Sequence, residues 1–191
     1  MRFRNLPNAI TASRLLLVPV LILVLKEGDY TAGLVVFFVA GISDALDGYI
    51  AKRFHLVTQL GAVLDPLADK ALLVSAYVML TLLGHVPFWL MLTVAFRDLL
   101  IVGGYLVVTS MMGAVRMQPS YLSKFNTLAQ IVLVLAILTQ AAAGWPQGLL
   151  TQGLVYLVLA TTVASGAHYI WLWGVRREVK PVRPPEEPPA P

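Results

Sequence analysis

No cysteine occurs anywhere in the chain, so disulfides and thiolate metal ligands are excluded. Charge is scarce too: Asp, Glu, Lys and Arg make up 13% of the residues, against about 25% in an ordinary soluble domain. That shortage excludes a soluble globular fold, because too little charge is present to cover a folded surface in water. Histidine is nearly missing. His55, His85 and His168 lie far apart with nothing to pair them, and each reads as an interfacial residue rather than a catalyst. The net charge of +4 does not point to nucleic acid. Its basic residues follow the pattern of a membrane topology, where anionic lipid head groups are the neighbours.

What remains is apolar: 58% of residues are hydrophobic and the mean hydropathy is +0.77. The apolar runs are long and continuous, which favours helices over a barrel. The expected fold is an all-α integral membrane protein with six transmembrane helices, near residues 8–26, 31–52, 58–83, 87–109, 121–143 and 148–173. Residues 1–14 are expected to form a short N-terminal interfacial segment, with Pro7 breaking any continuous helix. No small-residue cleavage pattern follows the first apolar run, so that run reads as an uncleaved helix. The breaks KEGDY, GHVP and AAAGWPQG carry charge, glycine or proline.

Lys26 is the only basic residue in the odd-numbered connections. Arg2, Arg4, Lys52, Arg53, Arg116, Arg176, Arg177, Lys180 and Arg183 lie at the opposite ends. The positive-inside rule then places both termini in the cytoplasm. Two regions are expected: a membrane domain over 1–175, and a basic then proline-rich disordered tail over 176–191. The expected setting is a bacterial cytoplasmic (inner) membrane.

One stretch, residues 41–70, breaks the apolar pattern. It holds Asp44, Asp47, Asp65 and Asp69; apart from the tails and the first loop, Asp98 is the only other acid. Carboxylates inside apolar helices are costly and are normally retained for function. The i,i+3 and i,i+4 spacings stack each pair on one helix face. A turn at His55 and Leu56 would bring Asp44 level with Asp69, and Asp47 level with Asp65, in a site facing the cytoplasm. Four carboxylates so placed need protons or cations between them.

The donors are hard oxygens, which selects Mg²⁺ or Mn²⁺, two ions suiting phosphoryl transfer. Gly48 and Gly61 leave room beside the acids, and Lys52 and Arg53 would meet a nucleotide's diphosphate. The competing reading is a small cation transporter using the same acids as an ion site. The two cations at its mouth disfavour it.

The run Asp44-x2-Asp47-Gly48-x2-Ala51-Lys52-x8-Gly61-x3-Asp65-x3-Asp69 resembles the signature of the CDP-alcohol phosphotransferases. These are six-helix membrane enzymes, usually homodimers, that release CMP from a CDP-linked donor. The resemblance implies that the four aspartates hold two divalent ions and that Asp69 is also the general base. It implies a CDP site lined by Gly48, Lys52 and Gly61, with Asp44 and Arg53 beside them. The family has Arg where this chain has Lys52, so either Lys52 or the adjacent Arg53 takes the phosphate-contacting role.

Asn5–Arg14, the acid block, Arg97-Asp98 and PSYLSKFNT are similar to the phosphatidylglycerol branch of that family. The donor implied is CDP-diacylglycerol. Phosphatidylglycerophosphate synthases use glycerol 3-phosphate and usually show Lys-x-Lys-Thr where this chain has Lys124-Phe125-Asn126-Thr127. The CMP-forming cardiolipin synthases look closer to Ser-Lys-x-Asn-Thr and use phosphatidylglycerol. One cation fewer matches an acceptor without a terminal phosphate monoester, which favours phosphatidylglycerol. Arg97, Arg116, Lys124 and Asn126 are the candidate acceptor-binding residues. For Arg97 the alternative is neutralisation by Asp98 within the bundle. For Arg116 and Lys124 it is contact with lipid head groups.

Overall fold

The computed structural model describes residues 6–54, 59–112 and 120–171, and the side chains within 15–43, 70–104 and 120–171 together with Val107 and Ser110. Six helices follow one another: α1 (Leu6–Lys26), α2 (Tyr30–Phe54), α3 (Gln59–Leu82), α4 (Phe88–Met112), α5 (Tyr121–Ala142) and α6 (Leu149–Trp171). Their ends fall within a few residues of the expected spans. One expectation is corrected. Pro7 sits in the first turn of α1 and does not break it. A first-turn proline is tolerated because the N–H it lacks would have had no helical partner.

Three helices close in the same way. After α1, α3 and α5 the chain turns through Gly28, Gly84 and Gly144, with φ of 78°, 78° and 67°. The next residue then donates back into the helix: Asp29 N to Val24 O at 3.1 Å, His85 N to Leu80 O at 2.8 Å, and Trp145 N to Gln140 O at 2.9 Å. This is the Schellman ending, and its left-handed position is why glycine stands at all three. Asp29 then caps α2, its Oδ1 accepting from Ala32 N at 2.9 Å. Ser120 caps α5, accepting from Ser123 N at 3.2 Å.

The helices pack round a core of Leu21, Leu25, Phe37, Ala76, Leu80, Leu90, Leu133 and Val158. α1 lies against α2 and α3, α2 also against α5, and α6 against both α5 and α4. α3 and α4 meet much less closely. The outward faces are apolar as well: Leu16, Leu23, Phe38, Phe96, Leu99 and Leu150 are all exposed. Among the described residues, α5 and α6 are long and apolar enough to cross a membrane, with mean hydropathies of 1.7 and 1.5. Apolar segments at Leu15–Lys26, Tyr30–Ser43 and Lys70–Leu82 are shorter.

At the glycine-turn end, His85 ties three connections together. Its Nε2 lies 2.9 Å from Tyr30 Oη, and Gln147 Nε2 donates to the His85 carbonyl at 2.9 Å while facing Nδ1 at 3.4 Å. The neutral ring with a bare Nδ1 and Nε2–H donating to Tyr30 satisfies all three contacts. Partial burial holds the His85 pKa below its ordinary 6.5. The folded state therefore binds fewer protons than the unfolded chain around and just below pH 6.5. The stabilisation is complete above that value and is lost as pH falls through the folded pKa. We expect the midpoint of thermal unfolding to drop between about pH 7.5 and about pH 5.5, and His85→Gln to flatten that drop. An unchanged slope in the variant would remove His85 as its source.

Candidate active site

Asp44, Asp47, Gly48, Lys52 and Arg53 belong to α2, and Gly61, Asp65 and Asp69 to α3. The acid block thus occupies two consecutive helices that touch. The side chains of these eight residues, the turn at His55 and Leu56, and Arg116 all lie outside the described residues. The described part of the site begins at Lys70, the residue after Asp69.

From Lys70 a chain of polar contacts crosses four helices. Lys70 Nζ on α3 pairs with Asp98 Oδ2 on α4. Asp98 Oδ1 accepts from Arg97 Nη1 at 2.8 Å. Arg97 Nη2 donates to Ser165 Oγ on α6 at 2.8 Å and also to Ser123 Oγ on α5. Arg97 is only 6% exposed, and its stem packs beside Gly166, 3.7 Å from where a Cβ there would stand, an ordinary van der Waals distance. Arg97 and Asp98 do neutralise one another, but within a triad: Lys70 adds a second cation and leaves the group at +1. A buried carboxylate is tolerable on these terms, since both oxygens face a cation.

One turn along α5, Asn126 is completely buried. Its Oδ1 accepts from Thr161 Oγ1 at 2.8 Å and from Thr162 Oγ1 at 2.9 Å, both on α6. Thr161 has one hydroxyl proton to share between Asn126 Oδ1 and the Leu157 carbonyl 2.9 Å away, and Asn126 Nδ2 has no partner among the described residues. Gln130 lies one further turn along. Gln130, Tyr77 and Asp98 are among the residues lining a void of about 60 Å³ between α3 and α4, walled by Leu73, Val78 and Val94. Among the described residues neither polar end of Gln130 has a partner, nor has Tyr77 Oη. Lys124 is exposed, its ammonium 5.7 Å from the Tyr121 ring centre.

Of the four candidate acceptor-binding residues, then, Arg97 and Asn126 are buried and held by internal partners, while Lys124 faces outward. Sequence reading missed Lys70, Ser123, Thr161, Thr162 and Ser165. The hydroxyls at i, i+1 and i+4 of an apolar helix were the available signal for the last three.

The comparisons with known proteins bear on this site. The family model described as CDP-alcohol phosphatidyltransferase matches residues 4–164. A Schizosaccharomyces pombe protein, a cardiolipin synthase (CMP-forming)/mitochondrial hydrolase fusion, is 36% identical over 86% of this chain and 30% of its own length. The cardiolipin synthase (CMP-forming) of Homo sapiens is 32% identical over 86% of this chain and 60% of its own. The Bacillus subtilis CDP-diacylglycerol–glycerol-3-phosphate 3-phosphatidyltransferase is 34% identical over 70% of this chain and 76% of its own. The chain spans less than two thirds of the first two relatives and about three quarters of the third. The matched residues 4–164 run from the start of α1 into α6, and so include the acid block and the polar chain from Lys70 as far as Ser123, Ser165 lying one residue beyond.

Proposed function

The chain belongs to the CDP-alcohol phosphatidyltransferase family, and we propose that it transfers the phosphatidyl group of CDP-diacylglycerol to an alcohol, releasing CMP. The observation that carries this is the complete aspartate–glycine pattern, laid on two touching helices within the family match. The donor set suits hard divalent cations, with four carboxylates and neither imidazole nor sulfur within either pair. Two Mg²⁺ or Mn²⁺ ions held by Asp44, Asp47, Asp65 and Asp69 would neutralise phosphate oxygens when bound.

The chain's own groups supply the rest. Lys52 and Arg53, at the end of α2, hold the diphosphate, and Gly48 and Gly61 give the nucleotide access to the backbone. Asp69 takes the proton from the acceptor hydroxyl. That oxygen bonds to the phosphorus of the phosphatidyl group as the bond to the CMP oxygen breaks, and CMP leaves.

The acceptor we propose is phosphatidylglycerol, making the activity that of a CMP-forming cardiolipin synthase. Its support is the run Ser123-Lys124-Phe125-Asn126-Thr127, which carries a neutral amide at Asn126 and one cation at Lys124. A glycerol 3-phosphate monoester would call for more positive charge there. The second reading, phosphatidylglycerophosphate synthase, is favoured by the Bacillus subtilis relative, which is matched over most of its own length.

Membranes supplied with CDP-diacylglycerol and either acceptor decide between them by mass spectrometry of the lipid product. We expect cardiolipin. Asn126→Lys should shift the product ratio toward phosphatidylglycerophosphate, since the Thr161 and Thr162 hydroxyls can accept from an ammonium. An unchanged ratio would overturn the acceptor assignment. Release of no CMP with any alcohol, together with ion flux in liposomes, would overturn the enzyme reading in favour of a cation transporter.

We further propose that all six helices cross a bacterial cytoplasmic membrane, with both termini and the acid site on the cytoplasmic side. The exposed apolar faces of the bundle and the distribution of Lys and Arg support this. The membrane domain would then run over 1–175, with 176–191 as its tail. The protein would act as a homodimer, as the family usually does.

A further inference from the structure

We propose that Lys70 and Asp98 are positioning residues, forming a strap that fixes the rotation of α3 beside Asp69. The inference rests on the phosphatidyltransferase reading of the acid block.

Among the described residues α3 has a firm neighbour in α1 but only sparse ones in α4, α2 and α5, and a void of about 60 Å³ lies between it and α4. Packing alone therefore leaves the α4 side of α3 loosely held. The Lys70–Asp98 ion pair ties α3 to α4 beside that void, which Asp98 lines. Among the described residues no other ion pair joins two helices.

The far end of the strap is anchored. Asp98 is held by the neighbouring Arg97, and Arg97 is held by α5 through Ser123 and by α6 through Ser165. A pull on Lys70 is thus resisted by three helices, not by one flexible side chain.

Lys70 directly follows Asp69 in α3. Successive residues on a helix are separated by about 100° and 1.5 Å, so pinning one fixes the direction of its neighbour. Asp65 lies one turn earlier and shares that azimuth. The strap therefore fixes the rotation of the α3 backbone that carries Asp65 and Asp69, and Asp44 and Asp47 belong to another helix, α2. A group that orients metal-binding or catalytic side chains from behind typically accounts for about 10–100-fold in activity or metal affinity.

The test compares Lys70→Met, Lys70→Arg, Asp98→Asn and the double variant Lys70→Met/Asp98→Asn with the wild-type protein in detergent. Three quantities are read: kcat and KM for CDP-diacylglycerol, Mn²⁺ affinity by electron paramagnetic resonance titration, and the midpoint of thermal unfolding. We expect Lys70→Met to lower kcat about 10–100-fold and to weaken Mn²⁺ binding about 10-fold, with KM within about threefold. Lys70→Arg, which keeps a cation within reach of Asp98, should recover most of both. The double variant should be no worse than the poorer single one, because one strap is cut in each case.

Wild-type kcat and wild-type Mn²⁺ affinity in Lys70→Met would overturn the proposal. So would failure of Lys70→Arg to restore either. Should Asp98→Asn fail to fold, the Lys70 pair still decides the matter. If wild-type protein itself released no CMP, the phosphatidyltransferase reading would fall, while the Mn²⁺ titration would still report on the strap.

Discussion

Asp69→Asn is expected to abolish turnover while leaving CDP-diacylglycerol bound. The amide has the size and shape of the carboxylate, so α3 keeps its helix and the strap at Lys70 keeps its anchor. It cannot accept a proton, however, and it is a poor ligand for a hard divalent cation. Loss of a positioned general base costs about 10²–10⁴-fold in rate, and weakened cation binding adds to that. The groups proposed to hold the nucleotide belong mostly to α2, at Asp44, Gly48, Lys52 and Arg53, with Gly61 two turns away on α3. None of them is altered. The signature is therefore a fall in kcat of at least about a thousandfold with KM within a few fold, read by CMP release and by binding of a labelled donor. Wild-type turnover in this variant would remove Asp69 from the base role. A proportionate rise in KM with kcat intact would make it a binding residue instead.

The helices were legible in the sequence because two local signals agreed. Apolar runs of spanning length were punctuated by glycines, and Gly28, Gly84 and Gly144 proved to hold the left-handed positions that end α1, α3 and α5. Pro7 was misread because a proline's effect depends on its place in the helix. In the first turn it removes a hydrogen bond that would not have formed. That each acid pair lies within one helix was legible for a similar reason, since i,i+3 and i,i+4 spacing is local.

The polar chain behind it was not. Its partners are separated by 26 residues between Arg97 and Ser123, by 68 between Arg97 and Ser165, and by 35 and 36 between Asn126 and the two threonines. No local pattern encodes such pairings. Arg97 and Asp98 showed each other as neighbours, and that hid the second cation: Lys70 has nothing in its own surroundings that points to α4. Asn126 was read as a contact for the acceptor from its place in a motif. Its burial against Thr161 and Thr162 is a property of α5 lying on α6, which only the packed bundle reveals.

That packing makes Arg97 the residue whose loss should cost the fold most. Arg97→Ala removes a guanidinium that is 6% exposed and bonded to α4, α5 and α6 at once. Three penalties follow together. Asp98 keeps only Lys70 as a counter-charge, and Lys70 is itself the more exposed partner, at 38% against 11%. The Ser123 and Ser165 hydroxyls lose the donor they share, and the stem leaves a hole beside Gly166. Removing one partner of a buried charged group costs about 3–5 kcal/mol, which is a large share of the roughly 5–15 kcal/mol that holds a typical domain together.

Arg97→Lys should recover little of this. An ammonium is a point charge on a shorter stem and cannot reach a carboxylate and two hydroxyls on three helices with the planar fork that guanidinium provides. By contrast, Ser165→Ala deletes one hydroxyl and should cost only about 1.5–3 kcal/mol, the value of a hydrogen bond to a charged group. Unfolding midpoints in detergent test the order Arg97→Ala, then Arg97→Lys, then Ser165→Ala, from most to least damaged. A fully stable Arg97→Ala with altered acceptor KM would reverse the assignment, making Arg97 a substrate contact that the bundle does not need.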